Sequence, residues 1–335
     1  MTMPTPLCPN AMQVHDVRQE TPDVWTISLM PAGVYRYQPG QYALVSIRND
    51  ENTLRAYTLS SSPGQSRFIT LTVRAIPDGI GSSWLTQDVR VGDTLWLSNA
   101  QGEFSCVNAP SQRYLMLAGG CGITPIMSMT RWLLANKPDT YISLFYNVRS
   151  PKDVIFAKEW QVLCSEYASR LNLTLMAEQG ATNGFLSGRI SKDLLLELVP
   201  NITEYTVMTC GPAAYMDIVE QMSTELGIPA KNIHKEQFHT ATECSLDNAP
   251  EIKLTIQRLT KEVSAPTGSS LLFALEQNNL PVVAACRAGV CGSCKTQILS
   301  GDYTTTSTAT LTADEIAQGY VLACSCQLHG DVVLS

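Results

Sequence analysis

Polar and apolar positions alternate along the first third of the chain. The runs VWTISL at 24–29, YALVSI at 42–47 and ITLTVR at 69–74 carry the two-residue period of a half-buried strand. Pro39-Gly40, Pro63-Gly64 and Asp78-Gly79 punctuate them as turns. With one helical stretch near 82–89, such closely spaced strands predict a small antiparallel β-barrel over residues 10–110. At Arg113 the rhythm changes. Short apolar strands at 114–118, 140–148, 172–178 and 205–210 now alternate with helical runs at 123–136, 151–163, 191–198 and 213–227. That succession predicts a parallel sheet with crossovers, an α/β nucleotide-binding domain over 111–239. Residues 240–250 are polar, aperiodic and end in Pro250, and so read as a linker. The last domain, 251–335, holds strands at 251–258 and 261–265, a helix at 269–278, a cysteine-rich loop and further short strands.

Composition narrows what these domains do. Of 335 residues, 44% are hydrophobic and 16% charged, which describes a folded chain and excludes disorder. Twenty-three basic against thirty acidic side chains give a net charge of −7, so the basic footprint of a nucleic-acid binder is missing and no nucleic-acid partner is expected. The longest apolar stretch, 114–129, is broken by Gly119, Gly120, Gly122 and Pro125 and is too short to span a bilayer. No membrane association is expected. The first residues carry no secretory pattern, which points to a cytoplasmic protein. In that setting eleven cysteines read as metal ligands or redox groups rather than a disulfide framework. Cys8, Cys106, Cys164 and Cys244 stand outside any motif and are taken as unligated.

Three of the others share one loop. Cys286, Cys291 and Cys294 have the C-x4-C-x2-C spacing of a plant-type [2Fe–2S] ferredoxin, and Cys324 follows as the fourth ligand. Gly289 and Gly292 let backbone N–H groups approach inorganic sulfide. A zinc site would show two separated C-x2-C knuckles, and buried structural cysteines need no such spacing. Cys326 competes with Cys324: the two are read as sharing one strand face, and the ferredoxin spacing favours Cys324.

Two further motifs lie on the predicted parallel sheet. Gly119, Gly120 and Gly122, with Thr124, follow a strand and open a helix, the arrangement that seats a pyrophosphate. Cys210-Gly211-Pro212 occupies the carboxyl end of a later strand, where α/β sheets place their ligands. In the barrel, Arg55, Tyr57, Thr58 and Ser60 lie on one strand: arginine suits a phosphate and tyrosine a flat ring. Gly79, Gly81 and Ser82 form a second phosphate seat at a helix start. Taken singly, these residues read rather as an edge-strand aromatic, a solvated arginine and a helix cap. Beside a dinucleotide turn and an iron–sulfur loop they point to a flavin, the usual converter between a two-electron nicotinamide and a one-electron cluster.

With these residues in place, the chain resembles the ferredoxin–NADP reductase superfamily fused to a C-terminal plant-type ferredoxin domain. The matching segments are PGQY (39–42), RAYTLSS (55–61), GIGSSWL (79–85), GGCGITP (119–125), CGP (210–212), HKEQF (234–238) and the cysteine loop, in the family's order. The resemblance implies a flavin barrel, an α/β nucleotide domain and an α+β β-grasp ferredoxin-like domain. It implies that Arg55 binds the flavin pyrophosphate, that Tyr57 packs on the isoalloxazine and that Thr58 lies near N5. Cys210 is then expected beside the nicotinamide C4, with Glu236 and Phe238 bordering the flavin. Thr58, Cys210 and Glu236 are the residues expected at the reacting atoms, positioning and tuning rather than forming covalent bonds.

The phosphate seats alone suit FAD or FMN, and the likeness implies FAD. The segment Asn147-Val148-Arg149-Ser150 has no acid before Asp153, which by the dinucleotide rule leans toward NADPH through Arg149. The likeness implies NADH. More narrowly, the chain is similar to the reductases that serve a hybrid-cluster protein, a separate iron–sulfur enzyme associated with reduction of nitric oxide or hydroxylamine. That acceptor is implied by likeness. The reductase component of a Rieske-type oxygenase and a non-enzymatic redox sensor are the alternatives.

Overall fold

Burial follows the alternation in the first strands. The computed structural model describes residues 3–238, 249–287 and 289–335. In β1 (Asn10–Thr21) Met12 and Val14 are buried while Gln13 and His15 face out. The barrel adds β2 (Val24–Pro31), β3 (Tyr42–Ser46), β4 (Leu54–Thr58), β5 (Ile69–Arg74) and β6 (Thr94–Leu97), in the order β4-β3-β6-β1-β2-β5. The register of β1 with β2 and with β6, and of β2 with β5, is antiparallel. A bridge between Leu59 and Leu71, with Ser60 N–H donating to the Thr70 carbonyl at 2.8 Å, joins the two ends of this order. Ile27, Leu29, Val45, Leu59, Leu71 and Leu95 fill the interior. Between β5 and β6 the chain forms α1 (Ile80–Ser83) and then a single π-helical turn, Trp84–Asp88, where one helix over 82–89 was expected.

The second sheet is parallel throughout. Its strands are β7 (Arg113–Gly119), β8 (Tyr141–Val148), β9 (Leu171–Ala177), β10 (Phe185–Ser187), β11 (Thr206–Gly211) and β12 (Ile233–Gln237), in the order β10-β9-β8-β7-β11-β12. Helices α2 (Ile123–Asn136), α3 (Ala157–Glu166), α4 (Lys192–Leu198) and α5 (Ala213–Glu225) make the connections. In β7, Tyr114, Met116 and Ala118 enter one core while Leu115 and Leu117 enter another. A strand covered on both faces is apolar at every position, which is why 114–118 shows no alternation. The helix expected at 151–163 is broken. Pro151–Asp153 forms a 3-10 turn capped by Ser150 and Asp153, and Phe156 takes the left-handed conformation (φ 61°) before α3 begins. Strands β10 and β12 were not anticipated, being short and without a clear period.

The C-terminal domain is a mixed sheet under a helix. It comprises β13 (Glu251–Ile256), β14 (Lys261–Pro266), α6 (Leu271–Gln277), β15 (Lys295–Thr305), α7 (Ala313–Ala317), β16 (Tyr320–Leu322) and β17 (Cys326–Leu334). The order is β14-β13-β17-β15-β16, with β13 and β17 parallel. The later strands are not all short: β15 has 11 residues and β17 has 9. Ser270 caps α6 by accepting the Phe273 N–H at 3.1 Å, and Leu271, Leu272 and Leu275 pack into this domain's own core. By contacts the chain divides into two compact units, one of residues up to Asn49 with Tyr57–Phe238, the other of Asp50–Ala56 with the C-terminal domain. The expected linker, 240–250, lies almost wholly outside the described residues, as does Cys244.

Candidate functional site

Strand ends of the parallel sheet meet at one edge. Gly119 ends β7, Gly211 ends β11, and Cys210 is flanked in register by Ala118 on one side and Glu236 on the other. The glycine turn packs straight onto this edge. A Cβ on Gly122 would fall 2.0 Å from the Cys210 carbonyl oxygen, and one on Gly119 would fall 3.0 Å from Pro212. Glycine at 122 is thus demanded by backbone contact, whatever ligand the turn also serves. Gly122→Ala is expected to push α2 off β11 at a cost of about 2 kcal/mol, read as a melting temperature lowered by roughly 5 °C. An unchanged melting temperature would mean the turn has room to give.

Electrostatics at this edge favour neutral groups. The Cys210 thiol is buried, and burial, then the nearby Glu236 and Cys121, push it well above the ordinary thiol range. The Glu236 carboxyl is enclosed although part of its stem is accessible: Oε2 has no hydrogen-bond partner among the described residues, and burial pushes the group up to about 8. Thr124 Oγ1 donates to the Cys121 carbonyl at 3.0 Å and fastens the start of α2. Tyr215 packs on Gly119 and Gly211 and donates to Asn147 Oδ1 at 3.0 Å, linking the tips of β8 and β11. Arg149 is exposed just beyond β8, and Phe238 is exposed just beyond β12.

The barrel residues are arranged less uniformly than their motif suggests. Thr58 Oγ1 is buried with no hydrogen-bond partner among the described residues, and Tyr57 is partly buried against the barrel core. The Ser60 hydroxyl is spent inside the sheet on Thr70 Oγ1 and Thr72 Oγ1, both at 2.8 Å. Arg55 Nη1 donates to the carbonyls of Leu54 and Ala285 at 2.8 and 3.0 Å. Ser82 Oγ accepts the Ile76 N–H at 3.1 Å and closes the turn that carries Gly79 and Gly81.

Sequence reasoning missed Arg74 and Arg131. Arg74 pairs with Asp23 at 3.1 Å and turns its guanidinium toward Gly120. Arg131 grips Glu159 through two 2.6 Å bonds and donates to the Ser60 carbonyl at 2.5 Å, fastening barrel to sheet. Neither sits in a motif, because each acts on residues distant in sequence.

The cysteine loop curls back on itself. Cys294 Sγ lies 3.3 Å from Cys324 Sγ, and Gly289 N–H donates to Cys324 Sγ at 3.1 Å. Cys291 Sγ lies 2.9 Å from Ser293 Oγ. Hydrogen bonding with Cys324 holds the Cys294 thiol down to about 7, while the neighbouring Cys286 pushes Cys291 and Cys324 upward. Gly289 has φ 68°, and a Cβ there would meet the Ser307 side chain at 2.8 Å. Among the described residues no three His, Cys, Asp or Glu side chains are placed to hold a single metal ion. A two-iron cluster takes its four thiolates as two pairs, and the loop suits that division.

Cys324 and Cys326 do not share a strand face. Cys324 lies in the 3-10 turn Ala323–Ser325, which intervenes before β17 begins at Cys326. Cys326 therefore enters the hydrophobic core, where burial pushes its thiol up to about 12.

Such a barrel, parallel sheet and thiol loop define a flavin- and nicotinamide-dependent iron–sulfur reductase. Residues 13–106 match the oxidoreductase FAD-binding domain, 116–221 the oxidoreductase NAD-binding domain and 254–329 the 2Fe-2S iron-sulfur cluster binding domain. The chain belongs to the ferredoxin–NADP reductase-type flavoproteins that carry a C-terminal [2Fe–2S] domain, and within them to the family of the NADH oxidoreductase HCR of Escherichia coli (strain K12), to which it is 55% identical over 100% of both chains. It is 29% identical to the glycine betaine monooxygenase reductase subunit of Chromohalobacter salexigens, over 92% of each chain. Phthalate dioxygenase reductase has the same fold, with a TM-score of 0.67 and 24% identity over 97% of each chain. The chain is an NADH oxidoreductase whose cofactors are FAD and a [2Fe–2S] cluster. NADH agrees with what the likeness implies; the lean toward NADPH from Arg149 does not carry over, since the dinucleotide rule was framed for a different sheet. Among the described residues no helix is long and apolar enough to cross a membrane.

Proposed function

We propose that this reductase passes electrons singly to a hybrid-cluster protein, and that it works in the cytoplasm. The observation that carries the reading is the full-length 55% identity to NADH oxidoreductase HCR. When bound, the flavin turns a two-electron donor into a one-electron source, and the cluster carries single electrons onward. Residues 10–110 would hold the flavin, 111–239 the nicotinamide nucleotide and 251–335 the cluster, with 240–250 as the link.

Within the barrel, Arg55, Gly79, Gly81 and Ser82 would hold the flavin's phosphate and ribityl chain. Tyr57 would pack on the ring, with Thr58 and Ser60 along its edge. The buried Thr58 hydroxyl, which has no hydrogen-bond partner among the described residues, supports such a neighbour. Gly119, Gly120, Gly122, Thr124 and Arg149 would receive the dinucleotide. Cys210, Gly211 and Pro212 would receive the nicotinamide, with Glu236 and Phe238 bordering the flavin. Near neutral pH a protonated thiol and a largely protonated carboxyl would meet the nicotinamide without a competing charge. Cys286, Cys291, Cys294 and Cys324 would ligate the cluster.

Tyr57→Ala is expected to weaken flavin retention about tenfold, the loss of one stacking contact, measured as the flavin-to-protein ratio after gel filtration. An unchanged ratio would contradict the stacking role. The acceptor is tested by reconstitution. Anaerobic NADH consumption by the loaded chain should rise severalfold when purified hybrid-cluster protein is added, and no rise removes that acceptor. A second reading, the reductase of a Rieske-type oxygenase, is favoured by the 29% identical monooxygenase reductase subunits. The same assay with an oxygenase component decides between them.

A further inference from the structure

The cysteine loop is edged by a stretch that carries no charge. Residues 303–313 read YTTTSTATLTA, and Thr304, Thr305, Thr308, Ala309 and Thr310 are exposed. This stretch leans directly on the loop. Ser307 Oγ donates to the Gly289 carbonyl at 2.6 Å, and Thr310 Oγ1 lies 2.8 Å from where a Cβ on Gly292 would stand.

Two cations at its margins are paired, and two exposed acids, Asp302 and Asp314, bound it in sequence. Within 286–294 the one charged residue is Arg287, and its Nη1 donates to Glu276 Oε2 at 3.0 Å. Lys295, next in the chain, pairs with Glu315 at 2.5 Å, and the first acid after the stretch is Asp314. On the side formed by 303–313, a chain with a net charge of −7 thus presents its thiol loop with hydroxyls and methyls.

We propose that the protein acceptor docks on this rim, residues 304–311 with 289–293, and that the acceptor's matching face is itself uncharged. The inference rests on the reading that electrons leave from the cysteine loop to a separate protein. A charged partner face seated between Asp302 and Asp314 would lose its water and find no counter-charge within 303–313 or 289–293, so the rim selects against it. Threonine and alanine give up water cheaply, which suits a small, short-lived encounter. For each NADH oxidised to NAD+ and a proton, two electrons leave in two encounters, and each encounter reduces one acceptor centre by one electron.

The test uses the full, loaded chain and two substitutions at an exposed position, Thr308→Glu and Thr308→Lys. With cytochrome c, a one-electron acceptor ringed by lysines, Thr308→Glu should speed reduction and Thr308→Lys slow it, each about fivefold at low salt. With the hybrid-cluster protein both should slow transfer about fivefold, and the wild-type rate should change less than about twofold between roughly 20 and 400 mM salt. Reduction of a small uncharged quinone should be unchanged in both variants. In a separate measurement, the acceptor should retard amide hydrogen exchange in peptides covering 304–311.

Cytochrome c rates indifferent to the charge at 308, or protection confined to other segments, overturn the rim as the docking site. Acceleration of transfer to the hybrid-cluster protein by either charge overturns the uncharged partner face. A hybrid-cluster protein that is never reduced, with cytochrome c responding as described, removes that acceptor and leaves the rim standing.

Discussion

Cys291→Ser abolishes the visible absorption of the cluster and lowers electron delivery to a protein acceptor by more than about 100-fold, while NADH still bleaches the bound flavin within about twofold of the normal rate. The expectation follows from how the chain is divided. The C-terminal domain has a hydrophobic core of its own, built on Leu271, Leu272, Leu275 and the inner faces of β13 and β17. Cys291 is half-buried in the loop and contributes nothing to that core. A serine hydroxyl is a poorer ligand than a thiolate for iron, so one side of the cluster loses its anchor. The glycine turn, Cys210 and Glu236 belong to the other compact unit. Anaerobic stopped-flow absorbance follows both events in one sample. Loss of flavin bleaching in the variant would show that the domains do not act as modules.

Glu236→Gln removes a pH dependence from the stability of the flavin-free chain. The folded carboxyl is pushed up from 4.5 to about 8, so the native state holds its proton more tightly than the unfolded state does. Its contribution is complete below pH about 4.5, declines as pH rises, and is lost once pH passes about 8. Across that window the wild type should lose on the order of 4 kcal/mol that the glutamine variant keeps. The constant cost of placing an amide there shifts both ends of the curve equally, so the slope is the readout. Thermal melts at half-unit steps from pH 5 to 9 should show the two curves diverging upward in pH. Parallel curves would mean that the carboxyl ionises freely and is not enclosed.

What the sequence revealed tracks how local each signal is. The thiol loop was legible because its three cysteines and two glycines fall within nine residues, and the turn they build is a local matter. Gly119–Gly122 was legible as a turn, but the backbone contact that forbids a side chain at 122 comes from Cys210, almost ninety residues away. Phe156 gives no hint in composition that it adopts a left-handed conformation. The apolar period runs through it, and only the capped turn at Pro151–Asp153 and the packing around it decide the break. Cys324 and Cys326 were misread for a related reason: alternation assumes an unbroken strand, and a three-residue turn separates them. Arg74 and Arg131 carry no local signature, since an arginine's reach is set by the fold that brings its partners near.

The enclosure of Cys326 bears on how the protein survives in air. Oxygen strips iron–sulfur centres, and the bare sulfurs left behind can pair wrongly or oxidise further. A fifth thiol within reach would multiply the mispairings and slow repair. Shut in hydrocarbon and kept protonated, Cys326 stays out of that exchange. Reassembly then begins from a single set of sulfurs, and a damaged molecule can be salvaged without first being unscrambled.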